Sequence, residues 1–310
     1  MGVADISTSI GSKQAQIREL LDERKAILIA HYYQRPEIQD IADILGDSLA
    51  LSIEAARTDA DVIVFAGVRF MAESAAILSP DKTVLLPRQE AGCPLADKIT
   101  VEELERIKGE YPDATVVTYV NSSAETKAHS DICCTSANAL QVVNSITDST
   151  RVLMVPDGNL ARYTARLTDR DVIPWKGFCY VHDDLSPEDV MARKRRYPKA
   201  VVAVHPECSL DVIDAADFVG STGGILRFAR ETDAQEIIVG TEQGIMHQLQ
   251  KQNPEKTFIP ASDHLLCHDM KLITLDDILD SLRTTQHVVT VPEDIRVPAN
   301  VALSRMLAIS

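Results

Sequence analysis

Three of the six cysteines occupy matching positions in a sequence repeat, which indicates a shared thiol site. Three polar residues each stand where an apolar run of strand character gives way to a loop: His31, Asn121 and His205. The matching cysteines follow them by 62, 58 and 62 residues: Cys93, Cys179 and Cys267. Core packing does not explain one cysteine at the same point of each repeat, so we interpret the three thiols as ligands at one site.

Three thiolates without an obvious fourth protein ligand favour an iron–sulfur cluster over a structural zinc ion. Closed zinc sites usually have four protein ligands in closely spaced pairs, whereas a [4Fe-4S] cluster held by three cysteines has one iron open to substrate. An open metal ion can polarise a hydroxyl or carbonyl oxygen as a Lewis acid. His264 and His268 flank Cys267, so a zinc site of three cysteines and one histidine is the alternative.

A hydroxyl side chain follows each strand end at a similar distance and precedes a helical pattern. The distances are 17, 15 and 16 residues, to Ser48, Ser136 and Ser221, and Thr222 comes next to the last of them. Free N–H groups at helix N-termini favour carboxylates and phosphates. We therefore predict a substrate with several acidic groups, while a plain helix-capping role for the serines remains open.

The strand ends also carry candidate acid–base groups, of which Glu207 is the most informative. Glu207 follows an apolar strand and Pro206, and burial of a carboxyl group raises its pKa, which suits a general base. Four further candidates for catalysis or substrate binding occupy the equivalent places: His31, Tyr33, Tyr119 and His205. The alternative is that the tyrosines are core residues with one satisfied hydroxyl and the histidines are structural donors.

The elements that must position these residues alternate between strands and helices, which predicts an α/β fold with parallel sheets. Six apolar runs read as buried strands: "AILIAHYY", "DVIVFAG", "TVVTYVNS", "RVLMVPDG", "AVVAVHPE" and "EIIVGTEQ". Between them, "IQDIADILGDSLALSIEAART" and "SANALQVVNSI" read as amphipathic helical stretches. We predict three α/β repeats of about 85 residues, related by a pseudo-threefold axis around a central cavity. Their bounds are residues 1–100, 101–186 and 187–284, with the tail 285–310 packed on the first repeat.

The composition of the chain disfavours nucleic acids and membranes as binding partners. The 310 residues carry a net charge of −15, which disfavours binding to nucleic acid. The N-terminal stretch lacks a basic region followed by an apolar one, and no long apolar span follows, so we expect a cytoplasmic protein without a membrane partner. In that reducing compartment Cys133, Cys134 and Cys208, which have no counterparts in the repeat, are interpreted as buried small apolar side chains.

Many separate motifs, in the same order, resemble those of the quinolinate synthase (NadA) family. They include "AHYYQRPEIQDIAD", "AGCPLAD", "VTYVNSSAETKA", "VPDGNLARY", "WKGFCYVH", "VHPEC", "GSTGGI", "GTEQGIMHQL" and "CHDMK". The resemblance runs from about residue 25 to the C-terminus. It implies an enzyme of NAD biosynthesis that condenses iminoaspartate with dihydroxyacetone phosphate to quinolinate, and a functional link to an enzyme that produces iminoaspartate.

The resemblance also implies roles for individual residues. Cys93, Cys179 and Cys267 match the family's ligands of a [4Fe-4S] cluster, whose open iron engages a substrate oxygen. Glu207 matches the principal proton carrier, with Tyr33 and Tyr119 assisting. The remaining matches are substrate-binding positions: His31, Ser48, Asn121, Ser136, His205, Ser221 and Thr222.

Three other functions compete with this interpretation. The diphthamide-synthesis proteins have a similar fold with one cluster cysteine per repeat, but they act on a translation factor. An iron–sulfur sensor needs an output surface, for which the net charge of −15 offers little support. A dinucleotide-binding dehydrogenase is disfavoured because no G-x-G-x-x-G follows a strand.

Overall fold

The computed structural model describes residues 3–309, with side chains from Ser9 onward. Twelve short strands form in this range, and most are apolar and buried along their length, as is typical of parallel sheets covered on both faces. They are β1 (Ala26–His31), β2 (Ile44–Gly46), β3 (Val62–Ala66), β4 (Thr83–Leu85), β5 (Thr115–Tyr119), β6 (Ile132–Cys134), β7 (Arg151–Val155), β8 (Asp171–Pro174), β9 (Val201–Val204), β10 (Phe218–Val219), β11 (Glu236–Gly240) and β12 (Thr257–Pro260).

Helices connect the strands. Within the described range they are α1 (Val3–Glu23), α2 (Pro36–Gln39), α3 (Ser48–Arg57), α4 (Arg69–Leu78), α5 (Val101–Glu110), α6 (Ala124–Ala128), α7 (Ala139–Ser145), α8 (Gly158–Ala165), α9 (Tyr180–Asp183), α10 (Pro187–Arg196), α11 (Leu210–Asp214), α12 (Thr222–Glu231), α13 (Ile245–Gln252), α14 (Leu275–Thr284) and α15 (Glu293–Leu307). None of the helices between residues 3 and 309 is long and apolar enough to cross a membrane.

The strands form three four-stranded parallel sheets with the same order. The orders are β2-β1-β3-β4, β6-β5-β7-β8 and β10-β9-β11-β12. Every ladder within them is parallel. The predicted α/β class and its threefold repetition of parallel sheets are therefore confirmed.

The chain divides into two compact units, of which the first contains residues 1–93 and 268–293. It holds the sheet of β1 to β4, with α1 and α14 packed together beside it. The stretch after α14 runs along the β4 edge, where the Leu86 N–H donates to the His287 carbonyl at 3.1 Å and the Val289 N–H donates to the Val84 carbonyl at 2.8 Å.

The second unit contains residues 94–267 and 294–310 and holds the other two sheets. One of its buried apolar clusters joins Val181 and Leu185 to residues of β9 and β11. Arg305, in α15, donates to the Asp131 carbonyl at 2.9 Å. Within the tail, residues 285–293 belong to the first unit and 294–310 to the second.

Candidate functional site

Each sheet presents the same three kinds of residue at the carboxyl ends of its strands. The residues His31, Asn121 and His205 end or follow β1, β5 and β9, and the hydroxyls Ser48, Ser136 and Ser221 follow the neighbouring strands β2, β6 and β10. The cysteines Cys93, Cys179 and Cys267 follow the opposite edge strands β4, β8 and β12. The sequence repeat therefore corresponds to a repeated structural position at the strand ends. Ligands of parallel sheets bind beyond such strand ends.

In the first unit, His31 and Tyr33 contact each other. Their ring centroids lie 4.5 Å apart in an edge-on arrangement, and the Tyr33 N–H donates to His31 Nδ1 at 3.1 Å. Lys271 Nζ donates to the Tyr33 carbonyl, and Arg35 Nη2 donates to the Lys271 carbonyl at 2.7 Å. Both aromatic side chains are therefore held at the end of β1.

Ser48 and Cys93 also lie in the first unit. Ser48 is the first residue of α3, and the side chain that caps this helix is that of Asp47, which accepts from the Ala50 N–H at 3.1 Å. Capping therefore does not occupy the Ser48 hydroxyl. Cys93 is partly exposed, in a loop tied back by a 2.8 Å hydrogen bond from the Arg69 N–H to the Ala91 carbonyl.

In the second unit, buried groups surround the Glu207 carboxylate. Glu207 is 2% exposed, and its Oε2 lies 2.6 Å from His182 Nδ1 and 3.6 Å from His205 Nδ1. The Tyr119 hydroxyl interacts with the same carboxylate and with Ser136. Glu207 Oε1 has no hydrogen-bond partner among the described residues.

The pKa of Glu207 is shifted in the direction opposite to the one that the sequence predicted. Burial by itself raises the pKa of Glu207, but His182 and His205, with hydrogen bonds from His182 and Tyr119, outweigh it and lower the pKa to about 2. The expected raised pKa is thus wrong, because the sequence did not reveal two imidazoles beside the carboxylate. Burial and the nearby Glu207 charge raise the pKa of Tyr119 well above its usual value, so this phenol keeps its proton.

A second buried carboxyl, Asp157, lies near Glu207 and has the opposite character. Burial and the Glu207 charge raise the pKa of Asp157 well above its usual value. Its Oδ1 caps α8 by accepting from the Leu160 N–H at 2.8 Å, and the side chain also accepts from the backbone of Asn159 and Cys179. Asp157 therefore fixes the backbone of one of the three repeat cysteines.

The local chain path explains how Asp157 reaches Cys179. The Gly158 N–H donates to the Gly177 carbonyl at 2.8 Å, so the loops after β7 and β8 lie against each other. A Cβ at Gly158 would lie 2.2 Å from the Trp175 carbonyl oxygen, and one at Gly177 would lie 2.3 Å from the Pro156 carbonyl oxygen. Glycine is required at both positions by this close approach of the two backbones.

Cys267 is held by a buried carboxylate of its own. Glu242 is fully buried, and its two oxygens accept from the Cys267 N–H at 3.2 Å and the Gly244 N–H at 2.7 Å. Cys179 and Cys267 both pack against the same buried apolar cluster of the second unit. The structure thus brings two of the three repeat cysteines to one apolar surface.

The six cysteines fall into two groups by exposure. Cys93, Cys179 and Cys267 are partly exposed, whereas Cys133, Cys134 and Cys208 are buried. Burial raises the pKa of Cys133 to about 12, and it raises the pKa values of Cys134 and Cys208 as well. Only the repeat cysteines combine access with a position beside polar groups, which is the environment of a thiolate ligand.

The remaining predicted binding residues of the second unit lie near strand ends. Ser221 caps α12, its Oγ accepting from the Gly224 N–H at 3.1 Å, and Thr222 begins that helix. Ser136 lies two residues before the α7 cap, Asn138, so helix capping does not account for it. The Asn121 Oδ1 is buried and has no hydrogen-bond partner among the described residues.

Four site residues were not singled out from the sequence: Asp157, His182, Thr241 and Glu242. Asp157 lies two residues beyond β7, and Thr241 and Glu242 lie one and two residues beyond β11, much as Glu207 lies three residues beyond β9. His182 lies three residues beyond Cys179 in α9. The strand-end rule that selected Glu207 would have found the first three if it had been applied to every strand.

The model of the family described as quinolinate synthetase A protein matches residues 15–308. The chain belongs to this family. It is 57% identical over 294 residues to the quinolinate synthase of Geotalea uraniireducens, covering 95% of this chain and 96% of the relative. The quinolinate synthase of Desulforudis audaxviator is 55% identical over 295 residues, with 95% and 97% covered.

A further relative, quinolinate synthase 1 of Methanosarcina acetivorans, is 55% identical over 294 residues, 95% of this chain and 96% of the relative. The resemblance noted in the motifs is thereby confirmed, and the chain is an enzyme of the quinolinate synthetase A family. Membership in this family implies an iron–sulfur cluster.

The donor set of the structure fits such a group. The three repeat thiols are partly exposed, and the N–H groups of Cys179 and Cys267 are held by buried carboxyls. His182 Nδ1 lies 3.3 Å from the Cys179 sulfur, as an outer partner of a ligating thiolate would. The exposed His264 and His268, by contrast, stand on the surface.

Proposed function

We propose that this enzyme is a quinolinate synthase, which condenses iminoaspartate with dihydroxyacetone phosphate to quinolinate in de novo NAD biosynthesis, with loss of phosphate and two waters. Relatives named for that activity match nearly the whole chain. The structural observation that carries the proposal is Glu207, an ionised, buried carboxylate beside the protonated phenol of Tyr119. A base and an acid at one site are what successive dehydrations require.

We assign the ligands of a [4Fe-4S] cluster to Cys93, Cys179 and Cys267. Their partial exposure, their matching places after the edge strands and the burial of the other three cysteines support this assignment. When bound, the cluster supplies an open iron that acts as a Lewis acid on a substrate oxygen. The chain's own residues supply binding, orientation and proton transfer.

Glu207 is the principal proton carrier of this proposal. Its Oε1 takes a proton from a substrate carbon; the carboxylate is ionised at neutral pH, but its low pKa makes it a weaker base than the raised pKa expected from the sequence would have given. The Tyr119 hydroxyl, whose pKa is raised, returns a proton to a leaving oxygen. In the first unit, Tyr33 and His31 are the equivalent pair, with the His31 ring oriented by the Tyr33 N–H.

The hydroxyls and amides bind the acidic groups of the substrates. Ser221 and Thr222 stand at the start of α12, where the N–H groups and the helix dipole favour a carboxylate or a phosphate. Asn121 and Ser136 serve the same purpose in the second repeat, and Ser48 does so in the first. His205, whose Nδ1 accepts from the Glu207 N–H at 3.3 Å, presents its other ring nitrogen to a substrate oxygen.

Iminoaspartate, one of the two proposed substrates, is an imine and hydrolyses in water. This instability indicates what kind of partner enzyme must supply it. An enzyme that oxidises aspartate to iminoaspartate must provide it close to the point of use. We propose a functional link to such an enzyme, in the cytoplasm, where reducing conditions keep free thiols available for a cluster.

The test of the proposal is quinolinate formation by protein purified without oxygen. Wild type should convert iminoaspartate and dihydroxyacetone phosphate to quinolinate, and Glu207→Gln should lower kcat by about 100-fold or more, because proton abstraction is lost. Cys133→Ala, a change at a buried cysteine outside the repeat, is the matched control and should keep the activity. A fully loaded wild type that forms no product would reject the proposal.

A single zinc ion is the competing candidate. The ligand atoms of Cys179, His182 and Glu207 lie within 4.8 Å of one another, a donor set that zinc accepts. One zinc per chain without acid-labile sulfide, removed by His182→Ala and retained in Cys93→Ala, would favour that alternative.

A further inference from the structure

A short 3₁₀ turn follows Cys93 and ends on Lys98. The turn spans Ala96–Lys98, so Lys98 stands five residues beyond the cysteine. Ala96 and Ile99, on either side of this point, are buried, whereas Lys98 itself is exposed. The backbone here is therefore packed into the second unit, to which residues 94–267 belong.

Lys98 contacts the segment that precedes Cys179 in three ways. The Trp175 indole Nε1–H donates to the Lys98 carbonyl at 2.8 Å. The Lys98 ammonium lies 5.0 Å from the centroid of the Phe178 ring, a cation–π contact with the residue directly before Cys179. A Cβ at Gly177 would lie 2.9 Å from Lys98 Cβ, so the two chain segments touch. One lysine thus follows one repeat cysteine and holds the chain before another.

The segment after Cys267 has the same arrangement in the first unit. A 3₁₀ turn spans Asp269–Lys271, and Lys271 stands four residues beyond Cys267. Its Nζ donates to the Tyr33 carbonyl, and its own carbonyl accepts from Arg35 Nη2 at 2.7 Å and Nε at 3.0 Å. In both places a lysine ends the turn, its side chain contacts a loop of another repeat, and its carbonyl accepts a hydrogen bond from that loop.

These contacts shorten the chain that can move between a cysteine and a fixed point. Five residues span at most about 18 Å when fully extended, which bounds the distance of Cys93 from Lys98. Phe178 is bonded directly to Cys179, so the same lysine restrains that cysteine as well. A shorter tether raises the effective concentration of a ligand at its site. A thiolate that leaves an iron atom should therefore rebind faster.

We propose that Lys98 is a positioning residue that links the chain segments of Cys93 and Cys179 and thereby slows the loss of the iron–sulfur cluster. The inference rests on the proposed function for the assignment of both cysteines as ligands. The indole hydrogen bond to the carbonyl holds the backbone of Lys98, and the phenyl ring holds its ammonium group.

Two sets of variants separate the backbone contact from the side-chain contact. Trp175→Phe removes the N–H donor, and its control is Ile107→Val, which shortens a side chain packed against the same apolar cluster. Lys98→Met removes the charge, and Lys98→Arg keeps it. Lys108→Met, at a lysine of α5 outside this contact, is the control for the lost charge. Each protein is purified with its cluster and without oxygen.

The first measurement is the rate of iron release to the ferrous chelator bathophenanthroline disulfonate. We expect about threefold to tenfold faster release in Trp175→Phe, a smaller increase in Lys98→Met, and wild-type rates in Lys98→Arg and both controls. The second measurement is hydrogen exchange of the cluster-loaded proteins. In Trp175→Phe the amides of residues 95–99 should exchange faster, while those of α10 should be unchanged.

Several results would overturn the inference. Wild-type iron release in both Trp175→Phe and Lys98→Met would show that the contact does not retain the cluster. Equal acceleration in Lys98→Met and Lys98→Arg would show that the charge has no role, and equal acceleration in Trp175→Phe and Ile107→Val would indicate loss of core packing alone.

The proposed function can fail separately from this inference. A wild type without iron would reject the ligand assignment and the role of Lys98 together. A loaded wild type that forms no quinolinate would reject only the catalytic proposal, and the rates of iron release would still decide the role of Lys98.

Discussion

At Glu207, two physical effects act in opposite directions on one carboxyl group. Burial raises its pKa, and two imidazoles with a phenol lower it to about 2. Because the folded-state pKa lies below the ordinary value of about 4.3, ionisation of Glu207 stabilises the fold above that value, and this contribution is lost as the pH falls toward 2. The carboxylate is ionised throughout the neutral range.

Burial and the nearby Glu207 charge raise the pKa of Asp157, and we predict that an amide replaces its carboxyl group well. Asp157→Asn should fold with nearly wild-type stability, since these surroundings favour a neutral side chain and an amide oxygen can accept the same N–H groups. Asp157→Ala should lose at least about 2 kcal/mol, because several buried donors lose their acceptor.

The urea unfolding midpoints of Asp157→Asn and Asp157→Ala measure these two changes in stability. Asp47→Ala, at the ordinary α3 cap, is the control and should cost only about 1 kcal/mol. A strongly destabilised Asp157→Asn would show that this site does not favour a neutral side chain.

The cysteines should differ in reactivity as they differ in burial. In protein freed of its metal, N-ethylmaleimide should label Cys93, Cys179 and Cys267 first, because they are partly exposed. The buried thiols, with raised pKa values, should react only after unfolding. Peptide mass spectrometry measures the order, and early labelling of Cys133 or Cys208 would contradict it.

Individual residues differed in how far the sequence could predict them. Glu207 and Tyr119 could be identified because they follow recognisable strands, and the structure brings the two together. His182 could not, because its contacts to Glu207 and Thr241 link residues 25 and 59 positions away along the chain. For the same reason the sequence predicted the wrong direction for the Glu207 pKa.

Among the elements, the loops after β7 and β8 depend on two glycines. We predict that Gly177→Ala lowers the unfolding free energy by about 2–3 kcal/mol, because its Cβ would lie 2.3 Å from the Pro156 carbonyl oxygen and the backbones must separate. The same change should lower iron content, since this contact positions the segment that carries Cys179.

Gly109→Ala is the matched control for this element. Gly109 lies in α5, and a Cβ there would meet nothing within 4 Å. Alanine should therefore raise stability by about 0.5–1 kcal/mol through helix propensity. If Gly177→Ala and Gly109→Ala changed the urea unfolding midpoint equally, the close approach of the loops after β7 and β8 would have no effect on stability.

Element prediction succeeded for the inner strands and failed for the short edge strands. Long apolar runs gave β1, β3, β5, β7, β9 and β11, whereas "IQDIADILGDSLALSIEAART" was interpreted as a single helical stretch. It contains α2, β2 and α3. A three-residue strand such as β2 is too short to show a period of its own, and its pairing with β1 is a tertiary contact.

For the whole molecule, repetition was the most informative feature of the sequence. Equal spacing of strand ends, hydroxyls and cysteines predicted three equivalent sheets, and the common strand order confirms that repetition. The division of the chain into two compact units did not follow from the repeat, because packing of 268–293 with the first unit and 294–310 with the second is set by long-range contacts.

The proposed function depends most on whether the three repeat cysteines hold a catalytic iron–sulfur cluster. The most direct measurement is iron and acid-labile sulfide per chain, with quinolinate formation in the same oxygen-free sample. We predict about four irons per wild-type chain with turnover, and loss of both in Cys93→Ala, Cys179→Ala and Cys267→Ala but not in Cys133→Ala. Stoichiometric zinc, or a full cluster in any of the three repeat-cysteine variants, would contradict the account.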